Sequence, residues 1–162
     1  MDKNLPIKFS WGLFCRRSII DRDTGELSAI DITPALKVQQ IQTVRIDSNN
    51  SKILINLGKM NVVAFFERVD GSSNKISESL NIEFSQSGFE PKSVKVEVIV
   101  ESENTSAFIN LGFEELTLIV PYTQQSSNHF FEVVYKIQEY QLGKLLLPVN
   151  VDFKILEETQ NE

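Results

Sequence analysis

Residues 92–100 read Lys-Ser-Val-Lys-Val-Glu-Val-Ile-Val. Val94, Val96, Val98 and Val100 fall on alternate positions, with Lys95, Glu97 and Ile99 between them. Successive side chains of an extended chain point to opposite faces, so this run has one apolar and one mainly polar face, whereas a helix would scatter the valines around its circumference. It reads as a half-buried β-strand, and the same period continues on both sides of it. Leu80, Ile82 and Phe84 alternate with Ser79, Asn81 and Glu83, and Leu147, Val149, Val151, Phe153 and Ile155 alternate with Pro148, Asn150, Asp152 and Lys154. Near the start Ile7, Phe9, Trp11, Leu13 and Cys15 take every second position, which predicts one core-facing row. Phe14, on the other parity, is then the residue expected at the surface or between subunits.

The composition points the same way. Sixteen Ile and 14 Val stand against 4 Ala, and β-branched side chains suit a pleated, half-buried surface better than a helix. Gly, Asn, Asp and Ser cluster at 21–25, 47–52, 70–75, 88–92, 101–105 and 121–128, with a further break expected at 141–144. Strands separated by turns every ten or so residues predict an all-β fold, an antiparallel β-sandwich of about eight or nine strands, Greek-key and C2-like, with a jelly-roll barrel as the other architecture. Thr33-Pro34 has the chemistry of a helix start and predicts one short crossover helix. Pro148 cannot donate a ladder hydrogen bond and marks an edge. No repeat or composition break divides the chain, so residues 1–156 are expected to form one domain and 157–162 a solvated acidic tail.

The 162 residues carry 16 basic and 22 acidic side chains, a net charge of −6, which argues against a nucleic-acid partner. One Cys and one His are too few soft ligands for a zinc site within one chain, and no cofactor is expected. No apolar run approaches the roughly 20 residues of a membrane span, no signal peptide is visible, and a lone cysteine suits a reducing interior; the cytoplasm is the expected compartment.

The seven glycines are isolated from one another, so neither a dinucleotide fingerprint nor a phosphate-binding loop can be written. Asp23-Thr24-Gly25 matches the core of the aspartic-protease motif, but Arg22 and Glu26 flank it where that chemistry needs two carboxylates sharing a proton. Asp-Thr-Gly is also ordinary turn chemistry. Asp21, Asp23 and Asp31 are weak metal candidates for calcium at one end of a sandwich, with Asp47 and Asp70 as further loop carboxylates. His129, the single histidine, would have to serve any Ser-His or Cys-His pair. Cys15 reads as a small buried hydrophobe. Trp11 and the other aromatics admit a stacking role, with core packing the alternative, and Arg16 and Arg17 point to opposite faces of a strand. No catalytic residue is assigned.

Charge is unevenly spread: residues 1–81 have a net charge of +2 and residues 82–162 a net charge of −8. If the halves occupy different edges, the molecule is electrically polar and suited to association or to a basic partner.

Leu13-Phe14-Cys15, followed by Ile20-Asp21-Arg22-Asp23-Thr24-Gly25-Glu26-Leu27-Ser28-Ala29-Ile30, resembles the opening of a bacterial family of short, functionally uncharacterised β-sandwich proteins. There a Cys-bearing first strand precedes an Asp/Gly hairpin and a Leu-Ser-x-Ile second strand. The resemblance covers the first thirty to forty residues and implies a bacterial, cytosolic, all-β protein without catalytic residues to transfer. The sequence therefore points to a non-enzymatic protein-interaction or assembly module, with self-association or a protein partner. The alternatives are a calcium- or ligand-binding C2-like module at a membrane surface and an enzyme of unfamiliar type.

Overall fold

The period-two runs are strands. The computed structural model describes residues 5–43, 52–86, 90–121 and 126–156, and these form eleven strands and no helix. In chain order they are β1 (Ile7–Ile20), β2 (Leu27–Ile32), β3 (Leu36–Thr43), β4 (Lys52–Asn56), β5 (Met60–Arg68), β6 (Ile76–Gln86), β7 (Lys92–Val100), β8 (Ser106–Phe113), β9 (Thr117–Pro121), β10 (Ser127–Ile137) and β11 (Tyr140–Leu156). One sheet runs β2-β1-β5-β8 and the other β3-β11-β10-β6-β7, while β4 and β9 pair as a small third sheet. The strands outnumber the expected eight or nine because β4 and β9 are short.

All pairs are antiparallel except β3–β11, which is parallel, Leu36 lying opposite Val149. No helix starts at Thr33: its N–H bonds the Phe14 carbonyl at 2.8 Å, and its hydroxyl donates to the Asp31 carbonyl, so the residue ties one strand to the next. The turn expected at 141–144 lies instead at 138–139, and 141–144 belong to β11. The breaks expected at 47–52, 88–92 and 121–128, and the tail at 157–162, lie partly or wholly outside the described residues. Pro148 sits on the last residue of β11 before β3 joins it, on a stretch with an open outer side.

The two large sheets are fastened face to face by aromatic rings. Phe9 and Phe66 meet Tyr135 at centroid distances of 5.5 and 5.6 Å. Phe14 and Phe113 meet Phe131 at 6.3 and 6.0 Å, and Phe113 also meets Phe84 at 5.2 Å. Edge-on and offset contacts of this kind add to the area that each ring buries. Below the second cluster, Ile55, Leu118 and Val120 of the small sheet close the core.

The first strand departs from its sequence reading. A β-bulge between Phe9 and Trp11 adds a residue, so the parity reverses along β1. Ile7 and Phe9 face the core before the bulge, and Phe14 faces it after; Phe14 is 4% exposed and Trp11 48%. The assignment of Trp11 to the core row and Phe14 to the surface is therefore reversed. Period two predicts faces only between bulges, and nothing in Phe9-Ser10-Trp11 marks one.

The β1–β2 hairpin then bends back. Ser18 lies five residues beyond Leu13, which is level with Asn110 across β5, so a straight strand would separate them along its axis by about 17 Å. Instead Asn110 Nδ2 donates to Ser18 Oγ at 2.7 Å. The bend falls where Arg16 and Asp31 stand unpaired in the register and Asp31 adopts φ 57°. The distal hairpin lies over the outer face of the first sheet, where it buries Cys15 and Val63, both 0% exposed on the face away from the main core.

Candidate interaction surface

A sandwich leaves strand edges whose N–H and C=O groups have no neighbour, and proteins usually blunt them with charge, proline, bulges or a covering element. Most edges here are treated in this way. β7 carries Lys92, Lys95 and Glu97; β2 carries Asp31 and its left-handed residue; β3 carries Lys37; the outer stretch of β11 carries Lys144 and ends at Pro148. In the small sheet β4 and β9 are five residues long, with the Ile119 N–H of β9 taken by Gln86 Oε1 and Pro121 lacking a donor.

β8 is different. Its eight residues, Ser-Ala-Phe-Ile-Asn-Leu-Gly-Phe, include no charged side chain and no proline. The direction of its backbone groups follows from one bond: Arg68 N–H donates to the Thr105 carbonyl at 2.8 Å. Bonded pairs alternate along an antiparallel ladder, so Ala107, Ile109, Leu111 and Phe113 turn their backbone groups toward β5. Ser106, Phe108, Asn110 and Gly112 turn theirs outward, where no described strand pairs with them.

Next to this edge runs an aromatic strip, exposed at Trp11 and half-buried at Phe65 and Phe108. Trp11 stacks on Phe65 with centroids 4.0 Å apart and planes 18° apart, and Phe65 meets Phe108 at 5.7 Å. The strip crosses β1, β5 and β8 and ends in a cleft of about 520 Å³ lined by Phe65, Phe108, Thr24, Gly25, Glu103 and Thr105 among others. The hairpin tip forms one wall and the 101–105 turn the other.

Arg68 fixes that second wall. Its side chain is 7% exposed and donates to the carbonyls of Asn104, Asn74 and Glu101 and to Ser72 Oγ. Three carbonyls from two turns are thereby satisfied by one guanidinium, whose planar fork suits such a convergence. Asp70 completes the cluster, its carboxyl held below the usual range by hydrogen bonds from Ser72 and by the Arg68 charge. Beyond the turns the electrostatics are acidic. Glu101 pairs with Lys75 and Glu114 with Lys59, each at 3.0 Å, whereas Glu103 and Glu115 have no ion-pair partner among the described residues. The acidic excess of the second half of the chain thus flanks both ends of an uncharged strand.

The candidate metal residues Asp21, Asp23 and Asp31 lie at the tip and the bend of the β1–β2 hairpin. Asp21 Oδ1 accepts the N–H groups of Asp23 and Thr24 at 2.8 and 2.9 Å, which closes the hairpin tip and lowers its pKa. Gly25 follows at φ 70°, and Asp23 is exposed. Asp31 stands at the hairpin bend, and among the described residues no three Asp, Glu, His or Cys side chains gather as a metal would need. Asp47 lies outside the described residues. His129 shares a 2.7 Å hydrogen bond with Ser127, two residues away on the same face of β10; burial lowers its pKa, and no carboxylate among the described residues bonds its ring. Cys15 is a buried free thiol, its pKa raised by burial and partly offset by a backbone bond to Ile30. Arg16 donates to the carbonyls of Leu57 and Lys59 and so braces the turn at Gly58, while Arg17 and Arg22 are exposed.

Sequence reading did not single out β8. The available signal was the absence of charge over eight residues, which becomes informative only once the strand is known to end a sheet.

No protein-family model and no curated protein matches the chain. Among solved structures it is similar to the N-terminal domain of PorA, at 10% identity over 89% of this chain and 98% of that one, with a TM-score of 0.23.

Proposed function

We propose that the chain is a non-enzymatic protein-interaction or assembly module and that β8 is the edge it works through. One observation carries the reading: β8 is the longest sheet edge among the described residues without charge or proline. An edge of this kind is a template for strand addition, in which main-chain hydrogen bonds give affinity and alternate side-chain positions give selectivity. The Trp11–Phe65–Phe108 strip supports it, because aromatic residues are enriched at protein interfaces. The proposal keeps the chain in a reducing compartment, where Cys15 remains a thiol.

The test is size-exclusion chromatography with light scattering, alone and after incubation with cell extract. A protein-interaction module forms either a defined oligomer or a stable complex, and Ser106→Pro, which removes one outward N–H, reduces it. A strictly monomeric protein that retains nothing, or one whose complexes ignore Ser106→Pro, overturns the assignment to β8.

A further inference from the structure

We infer that the strand added to β8 comes from a different protein, and that it is uncharged in its middle and basic at both ends. The inference rests on the β8 reading above and adds the chemistry of the partner. The outward groups of Ser106, Phe108, Asn110 and Gly112 recur every second residue, about 6.8 Å apart, which is the repeat of an extended chain. A partner strand laid along them has no charge of β8 to oppose. At its ends it meets Glu101 and Glu103 on one side and Glu114 and Glu115 on the other, of which Glu103 and Glu115 are not ion-paired among the described residues.

The same charges disfavour a second copy. In a twofold antiparallel pairing of β8 with itself, all four outward residues are used when Ser106 lies opposite Gly112 and Phe108 opposite Asn110. That register brings the turn that carries Glu103 of one copy to the same end of the seam as the bend that carries Glu115 of the other, and does so at both ends. Like charges gathered at an interface disfavour association, and among the described residues none of these four glutamates has a lysine or arginine partner. Basic residues at the ends of a foreign strand replace both repulsions with attraction.

The experiment uses the full chain and synthetic peptides of alternating valine and threonine, capped at each end by paired lysines, by paired glutamates or by neither. Binding is read by calorimetry or fluorescence anisotropy at low and high salt. The lysine-capped peptide is expected to bind at least about tenfold more tightly than the glutamate-capped one, with the gap narrowing as salt screens the flanks. Glu103→Gln with Glu115→Gln reduces the preference about fivefold while leaving the uncapped peptide's affinity unchanged. N-methylation of alternate peptide residues abolishes binding, because it removes the main-chain donors. Equal binding of the lysine- and glutamate-capped peptides overturns the charge inference and leaves β8 pairing intact. Binding that survives N-methylation, or no binding of any peptide, overturns β8 pairing itself. A homodimer that the lysine-capped peptide displaces identifies the occupant as a second copy and overturns the foreign strand.

Discussion

The two flanks of the sandwich face the same difficulty and resolve it in opposite ways. On one flank β1 passes directly over β11, and two glycines make the approach possible. A Cβ on Gly143 would overlap the Phe9 ring, and one on Gly12 would stand 2.8 Å from Leu145. That seam is closed by packing. On the other flank β7 and β8 are joined through the 101–105 turn, and no described strand pairs with their outer edges. β7 is guarded by alternating charge and β8 is not. Closing a flank uses residue volume and guarding it uses charge, and β8 carries no charge to guard it.

The open flank can be tested from inside the ladder. Leu111→Pro removes an N–H that faces β5, and the variant is expected to lose about 3 kcal/mol or more of stability in denaturant titration. Ser106→Pro removes an N–H that faces outward and should leave the unfolding midpoint nearly in place while weakening partner binding. Equal damage from both would show that the assumed alternation of backbone groups along β8 is wrong. On the closed flank Gly143→Ala forces the added methyl against Phe9, with an expected loss of about 2 kcal/mol, measured in the same way. A neutral outcome there would mean that β1 and β11 can separate without cost, so packing does not close that flank.

Tyr135 lies in the closed flank, opposite Gly143 in the register and stacked on Phe9, and its hydroxyl is buried without a hydrogen-bond partner among the described residues. An unpaired buried hydroxyl costs stability, so Tyr135→Phe is expected to stabilise the fold by about 1 kcal/mol. Burial also raises the phenol's pKa above its ordinary value of 10.0. The unfolded chain ionises there first, while the folded chain holds the proton. The contribution of this residue is complete below pH 10 and is lost progressively as the pH rises beyond it. Tyr135→Phe should therefore flatten the alkaline decline in stability, read from denaturation midpoints across pH 9 to 11. An unchanged slope would place the hydroxyl in contact with water.

Much of this architecture was legible in the sequence because period two is a direct consequence of pleating. Val96, Val98 and Val100 face the core as their spacing indicates, and so do Leu147, Val149 and Val151. Trp11 and Phe14 were misplaced because a bulge changes parity without changing composition. The candidate surface was hidden for a different reason. Whether a strand ends a sheet depends on which distant strands pair, and the neighbour of β8 is β5, more than forty residues earlier in the chain. Local sequence shows that residues 106–113 lack charge; only topology makes that lack an exposed edge. Asp21 shows the converse, since a carboxylate that its spacing offers as a ligand accepts the N–H groups of its own turn.

The comparison between β7 and β8 predicts that charge alone separates a guarded edge from a receptive one. Lys95 and Glu97 are exposed, and their cross-strand partners Asn81 and Ser79 are uncharged. Replacing both by threonine removes one positive and one negative charge, so the net charge of the protein is unchanged. Threonine suits a strand, and an exposed substitution of this kind should move stability by no more than about 0.5 kcal/mol. Association is where the change should appear. With its guard removed β7 gains the character of β8, and light scattering should show self-association or aggregation that rises with concentration. Phe108→Lys performs the reverse exchange and should silence β8. If the threonine variant stays monodisperse at concentrations where the parent protein does, charge is not what keeps β7 unpaired, and the bareness of β8 loses its meaning as a signal.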